Sequence, residues 1–239
     1  TKAGRVGTNS QTSYVLALMF DLLPKDLRPK AAKFLVEDIK SRGNRLSTGF
    51  LGTVYLCHVL SDNGYTDVAY DLLLQESYPS WLYPVKMGAT TIWERWDGQK
   101  TDSTFQDAGM NSFNHYAYGA IGDWMYRVSA GIEIVKPGYK HIAIQPHPAK
   151  RLDYSKASFE SSYGTIASGW ERIGEKIIVN AKIPANTIAT IKLPVNSATL
   201  VTENGKRIAD NKNFTGIRIE NDNLMFEAGS GDYVFEFTE

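Results

Sequence analysis

The run Trp93-Glu94-Arg95-Trp96 sets a carboxylate between two indoles and beside a guanidinium, with Asp97 next in line. Tryptophan faces stack on the apolar C–H face of a sugar ring and shed water from it. A carboxylate in that setting can activate a water molecule, and a neighbouring cation keeps it ionised. A third indole, Trp81, opens Trp81-Leu82-Tyr83-Pro84 a short way upstream. Trp81, Trp93 and Trp96 are therefore candidates to wall a sugar subsite around Glu94. The competing reading puts the tryptophans in a core and pairs Glu94 with Arg95 at the surface. Location favours the first: Glu94 lies in a stretch of about 35 residues, Gln75 to Phe113, and loops beyond about 12–15 residues are usually functional.

His115, in Phe113-Asn114-His115-Tyr116, stands where an apolar helix is expected to begin. It is either a histidine packed at a helix end or a contact to a sugar hydroxyl. Asp97, Asp102, Asp107 and Asn111 are polar neighbours without a decisive pattern. Other chemistries find no residues to carry them. Four His without paired spacing and a single Cys make no metal cluster. No Gly-rich loop follows a strand to cradle a phosphate, and no G-x-S-x-G elbow exists. Neither a metal nor a cofactor is expected. Cys57, in an apolar run, reads as a small buried hydrophobe.

Lys+Arg and Asp+Glu are both 26, so the formal charge is zero. A neutral chain offers no electrostatic footprint for nucleic acid or for an anionic membrane. No stretch approaches the roughly 18–20 apolar residues that span a bilayer. There is no secretory signal, and Thr1 is not an initiator methionine, so the chain is expected to begin within a longer protein and its compartment stays open. Asn213-Phe214-Thr215 fits the glycosylation acceptor pattern, as many unmodified loops do.

The elements around Glu94 follow from periodicity. Ser10 to Leu23 is apolar almost all round, capped by Asn9 or Ser10 and stopped by Pro24. Pro29 to Arg42 is amphipathic, with Ala31, Phe34, Leu35 and Ile39 against Lys30, Lys33, Glu37 and Lys40, and Gly43 ends it. The alternation repeats: residues 50–60 are nearly all apolar, Thr66 to Gln75 is amphipathic, and Phe113 to Ser129 is again a buried pattern. An all-apolar helix must be covered on every side, whereas an amphipathic one can face water. Strict alternation predicts inner helices ringed by outer ones, the logic of an α/α barrel. About five or six helices are present, half of a closed six-hairpin barrel.

From Ile132 the period changes to two. Runs at 141–145, 157–161, 165–172, 176–183, 188–193, 198–202, 224–227 and 233–237 are separated by turn signals such as Asn204-Gly205 and Asp222-Asn223. They predict a β-sandwich. The expected organisation is a partial (α/α)6 barrel over residues 1–131, followed by an antiparallel β-sandwich over residues 132–239.

Four segments, in order, resemble the C-terminal portion of bacterial α-L-rhamnosidases of glycoside hydrolase family 78. They are Gln11-Thr12-Ser13-Tyr14, Leu46 through Thr53 (LSTGFLGT), Gly88 through Trp96 (GATTIWERW), and Phe113 through Gly119 (FNHYAYG). The resemblance spans essentially the whole chain. It implies an (α/α)6 barrel that hydrolyses terminal α-L-rhamnose with inversion, Glu94 as general base and His115 in contact with the bound sugar. It also implies a rhamnose-containing glycoside or oligosaccharide as substrate. That family's general acid is a Glu in a D-E-R-x-G-W-like loop upstream, and nothing like it occurs here. The acid, with the rest of the barrel, is thus expected from a missing N-terminal segment or an oligomer partner, and the chain alone is expected to be inactive. The other readings are another α/α-barrel glycosidase of glucosidase or trehalase type, and a non-catalytic carbohydrate-binding or interaction fragment.

Overall fold

The computed structural model describes residues 3–109 and 111–238. The chain divides into two compact units, residues 1–122 and 123–239.

The first unit is built from helix pairs. Helix α1 (Gln11–Met19) is capped by Ser10, whose side chain accepts the Ser13 N–H. It stops one turn earlier than its apolar run suggests. Asp21 adopts a left-handed φ of 56°. The Leu22 N–H then reaches back to Ala17 O at 3.0 Å, and the Asp21 N–H to Leu18 O at 3.3 Å. This is the crossed pair of bonds that ends helices, with aspartate in the place usually taken by glycine. Helix α2 (Arg28–Ser41) buries Ala31, Leu35 and Ile39 and turns its lysines to solvent, as its pattern predicts. Helix α3 (Phe50–Asp62) buries Leu56, Cys57 and Leu60, and helix α4 (Thr66–Leu73) buries Val68, Ala69 and Leu72. Burial drives the Cys57 thiol pKa up to about 12, which leaves it an inert hydrophobe.

The two apolar helices, α1 and α3, lie against each other, with α2 beside α1 and α4 beside α3. Their close approach depends on Gly52, where a Cβ would stand 2.8 Å from Thr12 Oγ1 and 2.9 Å from Thr48 Cγ2. Apolar side chains at their ends stay open: Leu22, in the turn after α1, is 70% exposed and Leu51, at the start of α3, is 73% exposed. Within the long segment after α4 lies one further helix, α5 (Leu82–Lys86).

The expected helix from Phe113 to Ser129 forms only in its second half. Residues 113–116 are irregular, Ala117–Ala120 is one 3-10 turn, and α6 (Ile121–Trp124) runs into a π turn, Met125–Ser129. Residues 112–115 pair across to residues 91–94 instead, with the His115 N–H on Ile92 O at 2.8 Å and the Glu94 N–H on Ser112 O at 2.8 Å.

Among its described residues the second unit carries eleven strands in two sheets. One sheet has the order β1 (Ile132–Lys136), β2 (His141–Ile144), β6 (Ile188–Leu193), β10 (Asn223–Ala228), β9 (Thr215–Glu220). The other has the order β3 (Tyr154–Ser161), β4 (Gly164–Ile173), β5 (Lys176–Ile183), β11 (Gly231–Thr238), β7 (Thr202–Glu203), β8 (Lys206–Arg207). Alternate residues of both, among them Ile142, Trp170, Val179, Ile191, Phe226 and Phe235, form the core. The Trp170 indole donates to Ser129 O at 2.9 Å, so even this large polar-tipped side chain is satisfied. The pairing is antiparallel except where β2 runs parallel to β6. The expected strand at 198–202 shrinks to a two-residue hairpin arm at Thr202–Glu203, turned by Asn204-Gly205 with φ of 47° and 76°. Strand β9 escapes sequence reading because every residue in it is exposed, which erases the alternation.

Burial, with a smaller contribution from the Lys192 charge, lowers the His147 pKa from 6.5 to about 4. The folded state therefore holds this imidazole neutral while the unfolded chain protonates it first as pH falls. The stability it contributes is complete above pH 6.5 and is lost between there and about pH 4, amounting to up to about 3 kcal/mol. Urea unfolding at pH 7.5 and at about pH 4.5 should show a drop in midpoint for the natural chain that is clearly smaller in His147→Gln. Equal drops in the two proteins would contradict this assignment.

Candidate active site

The segment between α4 and α6 folds back on itself, and a short ladder closes it. The Glu94 N–H donates to Ser112 O at 2.8 Å, the His115 N–H to Ile92 O at 2.8 Å, and the Thr91 hydroxyl to Phe113 O. Side chain joins backbone in the same ladder: the Ser112 N–H donates to Glu94 Oε2 at 2.9 Å. Glu94 and His115, far apart in sequence, thus come from adjacent, mutually bonded segments. Glu94 is half-buried, and its other carboxylate oxygen makes no hydrogen bond or ion pair among the described residues.

Arg95 does not pair with Glu94. Its guanidinium donates to Gln106 Oε1 at 2.6 Å and lies 3.9 Å from Asp107. Among the described residues Glu94 makes no ion pair, with Arg95 or another base. The other polar residues of the loop act as staples. Asn111 donates to Gly98 O at 2.6 Å, and Asp107 accepts from the Gly109 N–H at 2.8 Å. Asp102 caps Thr104, whose hydroxyl and N–H hold its carboxyl below the usual range. Arg45 fixes the start of the segment by donating to Tyr78 O and to the Ser77 hydroxyl, at 3.1 and 2.8 Å.

His115 is held by aromatic faces. Phe50 stacks on it with centroids 4.7 Å apart and planes 11° apart, and Tyr116 lies 5.3 Å away, nearly parallel. Its Nδ1 accepts the Ala117 N–H at 3.3 Å, which leaves the ring proton of the neutral form on Nε2. The imidazole therefore presents a donor. Neither Phe50 nor Tyr116 is marked by spacing in the sequence. Their only signal is membership of the LSTGFLGT and FNHYAYG segments. Tyr116 is 88% exposed, the most open large side chain of this region.

The three tryptophans are packed. Trp81, Trp93 and Trp96 expose 8, 6 and 8% of their surface. Trp96 stacks on Tyr118 at 3.7 Å and meets Trp81 edge-on at 5.4 Å, while the Trp81 indole donates to Tyr118 O. Trp93 meets Phe113 edge-on at 5.0 Å. Phe50 continues the cluster, 5.0 Å from Tyr118. An aromatic network thus runs from the buried indoles to His115 and Tyr116. Burial, foremost, raises the Tyr118 pKa and keeps its phenol protonated. Trp96 also borders a cavity of about 370 Å³ lined by Thr48, Arg45 and Tyr78. Its indole nitrogen is buried without a hydrogen-bond partner among the described residues.

Upstream motif residues serve this frame. Gln11 is fully buried and accepts the Ser47 N–H at 2.7 Å while donating to Asp38 and to Arg45 O. It joins α1, α2 and the segment leading into α3. Thr48 and Thr53 share a hydroxyl bond of 2.8 Å at the head of α3, where Phe50 begins the helix.

The family model described as the bacterial alpha-L-rhamnosidase 6 hairpin glycosidase domain matches residues 1–128, and that of the bacterial alpha-L-rhamnosidase C-terminal domain matches residues 131–207. The helical unit is thus a partial (α/α)6 barrel, followed by the sandwich. An alpha-L-rhamnosidase of Streptomyces avermitilis is 41% identical over 97% of this chain and 22% of its own length. One of Formosa agariphila is 42% identical over 96% of this chain and 25% of its own length. The Streptomyces avermitilis enzyme, solved in complex with L-rhamnose, superposes with a TM-score of 0.91 over 100% of this chain and 22% of that structure. The enzyme from Dictyoglumus thermophilum superposes with a TM-score of 0.85 at 34% identity, over 96% of this chain and 25% of that structure. The chain therefore spans 22–25% of the length of these relatives. With a fold shared along its whole length and these identities, the chain belongs to the bacterial α-L-rhamnosidase family of glycoside hydrolases.

Proposed function

We propose that this chain supplies the general-base side of an inverting α-L-rhamnosidase, with Glu94 as the base. Residues 1–131 then form part of the catalytic barrel and residues 132–239 the sandwich that follows it. The observation that carries the reading is the ladder that holds Glu94 by one oxygen and sets His115 beside it. The relative solved with L-rhamnose supports the sugar.

The Ser112 N–H fixes Oε2, so the other oxygen takes the proton of a water attacking the anomeric carbon. Inversion requires an acid on the opposite side, with the two carboxyl groups about 6.5–9.5 Å apart to admit that water. No segment of this chain resembles the family's acid-bearing loop, and the acid comes from outside these residues. A further barrel segment or a second chain would provide it and cover the exposed Leu22 and Leu51. His115 donates from Nε2 to a hydroxyl of the bound rhamnose. Trp81, Trp93 and Trp96 wall the subsite from behind; Trp96 backs Tyr118, which meets the Phe50 ring stacked on the imidazole.

In a longer parent enzyme, Glu94→Gln keeps the shape and removes the base. Its kcat on an aryl α-L-rhamnoside should fall by about 10²–10⁴. A kcat within a few-fold of the parent's would remove Glu94 from this role. The purified 239-residue chain should give no turnover of the same substrate above buffer. Parent-like turnover would place a working acid within it.

Phe50 acts through His115. A ring pair of this kind is worth about 1 kcal/mol, so Phe50→Ala in the parent should raise KM about fivefold with kcat little changed. Phe50→Tyr, which keeps the stacked ring, should restore KM. An equal loss in both variants, or a loss confined to kcat, would argue against positioning of the imidazole.

A further inference from the structure

The outer face of the six-stranded sheet carries a groove of about 900 Å³ that the chemistry above does not use. Strand register places its outward residues side by side. Ala167 of β4 lies beside Lys182 of β5, which lies beside Asp232 of β11. One step along, Lys156 of β3, Gly169 and Asn180 form the next row. Tyr154 and Glu171 follow. The intervening residues Ile166, Ser168 and Trp170 are buried on the core side.

The floor is tight at Gly169, which is buried: a Cβ there would stand 2.7 Å from both Lys156 Cβ and Ser155 O, so only glycine lets β3 and β4 approach this closely. The rim is chemically mixed. Tyr154 is 62% exposed and presents an aromatic surface, with Lys156 Nζ 5.8 Å from its ring centre. Asn180 adds an amide, and two cations, Lys156 and Lys182, balance two anions, Glu171 and Asp232. A polyanion calls for a net cationic rim, which this is not. An apolar side chain calls for an apolar pocket, and this groove is rimmed by ammonium, carboxylate and amide groups. An exposed ring beside converging donors and acceptors of balanced charge matches an uncharged polyhydroxyl ligand. The volume falls within the range of about 300–1,000 Å³ of small-ligand sites.

We propose that this groove binds a neutral oligosaccharide, such as the uncharged part of a rhamnose-bearing glycan. The choice of glycan rests on the glycoside hydrolase reading above. The full 239-residue chain, labelled with nitrogen-15, is titrated with rutinose, an uncharged rhamnosyl-glucose, and separately with digalacturonate as its anionic counterpart. Rutinose should shift the amides of β3, β4 and β5 around Lys156, Gly169 and Asn180 in the millimolar range. Tyr154→Ala should weaken this binding about fivefold or more, and Asn180→Ala should weaken it as well. Both sites are exposed, and an otherwise unchanged spectrum reports that each variant folds. Glu94→Gln should leave the sandwich shifts untouched, so the result stands apart from the turnover test of Glu94. Absence of rutinose shifts in these strands, shifts confined to the surroundings of His115, or tighter binding of digalacturonate would each overturn the proposal.

Discussion

The candidate site depends on one constraint: the backbone of residues 112–115 is bonded to residues 91–94 rather than to its own helix. A segment of about 35 residues joining two helices has a large conformational freedom to lose. Here the ladder closes it, and internal staples from Asn111, Asp107 and Asp102 close its smaller turns. Glu94 is part of the ladder twice, through its N–H and through its carboxylate. Its position is therefore set by the same bonds that fold the segment, and a shift of either strand would move both Glu94 and His115.

The helices supply the platform for that segment. Gln11 is the shared partner of α1, α2 and the approach to α3, and a buried amide that satisfies three neighbours is costly to replace. Gly52 lets α1 and α3 meet closely enough that Phe50 projects from the head of α3 beneath His115.

Legibility in the sequence followed periodicity. The amphipathic α2 and the alternating β5 and β6 were readable because one face of each is buried and the other is wet. Edge strand β9 was not, because no residue in it is buried. The helix expected from Phe113 begins only at Ala117, because residues 112–115 pair with a segment about 20 residues away, a tertiary contact that no local pattern carries. Glu94 is singled out in the sequence by its flanking indoles, and the structure packs those indoles against Tyr118 and Phe113. Phe50 and Tyr116 were not singled out, because stacking on His115 is a relation between elements and leaves no spacing in the chain.

The orientation of Arg95 bears on the chemistry. Adjacent charges of opposite sign suggest an ion pair, yet Arg95 reaches the other way, to Gln106 and Asp107. A general base must accept a proton from water as the bond to carbon forms, and a guanidinium bonded to the same carboxylate would oppose that transfer. A backbone N–H orients a carboxylate oxygen without bringing a full charge to it. With Glu94 as the proposed base, the loop separates two tasks that the W-E-R-W run sets side by side. Arg95 holds the loop together through its far side, and the Ser112 N–H aims Glu94. The two tryptophans follow the same division, serving as packed supports while the open aromatic surface beside the imidazole belongs to Tyr116.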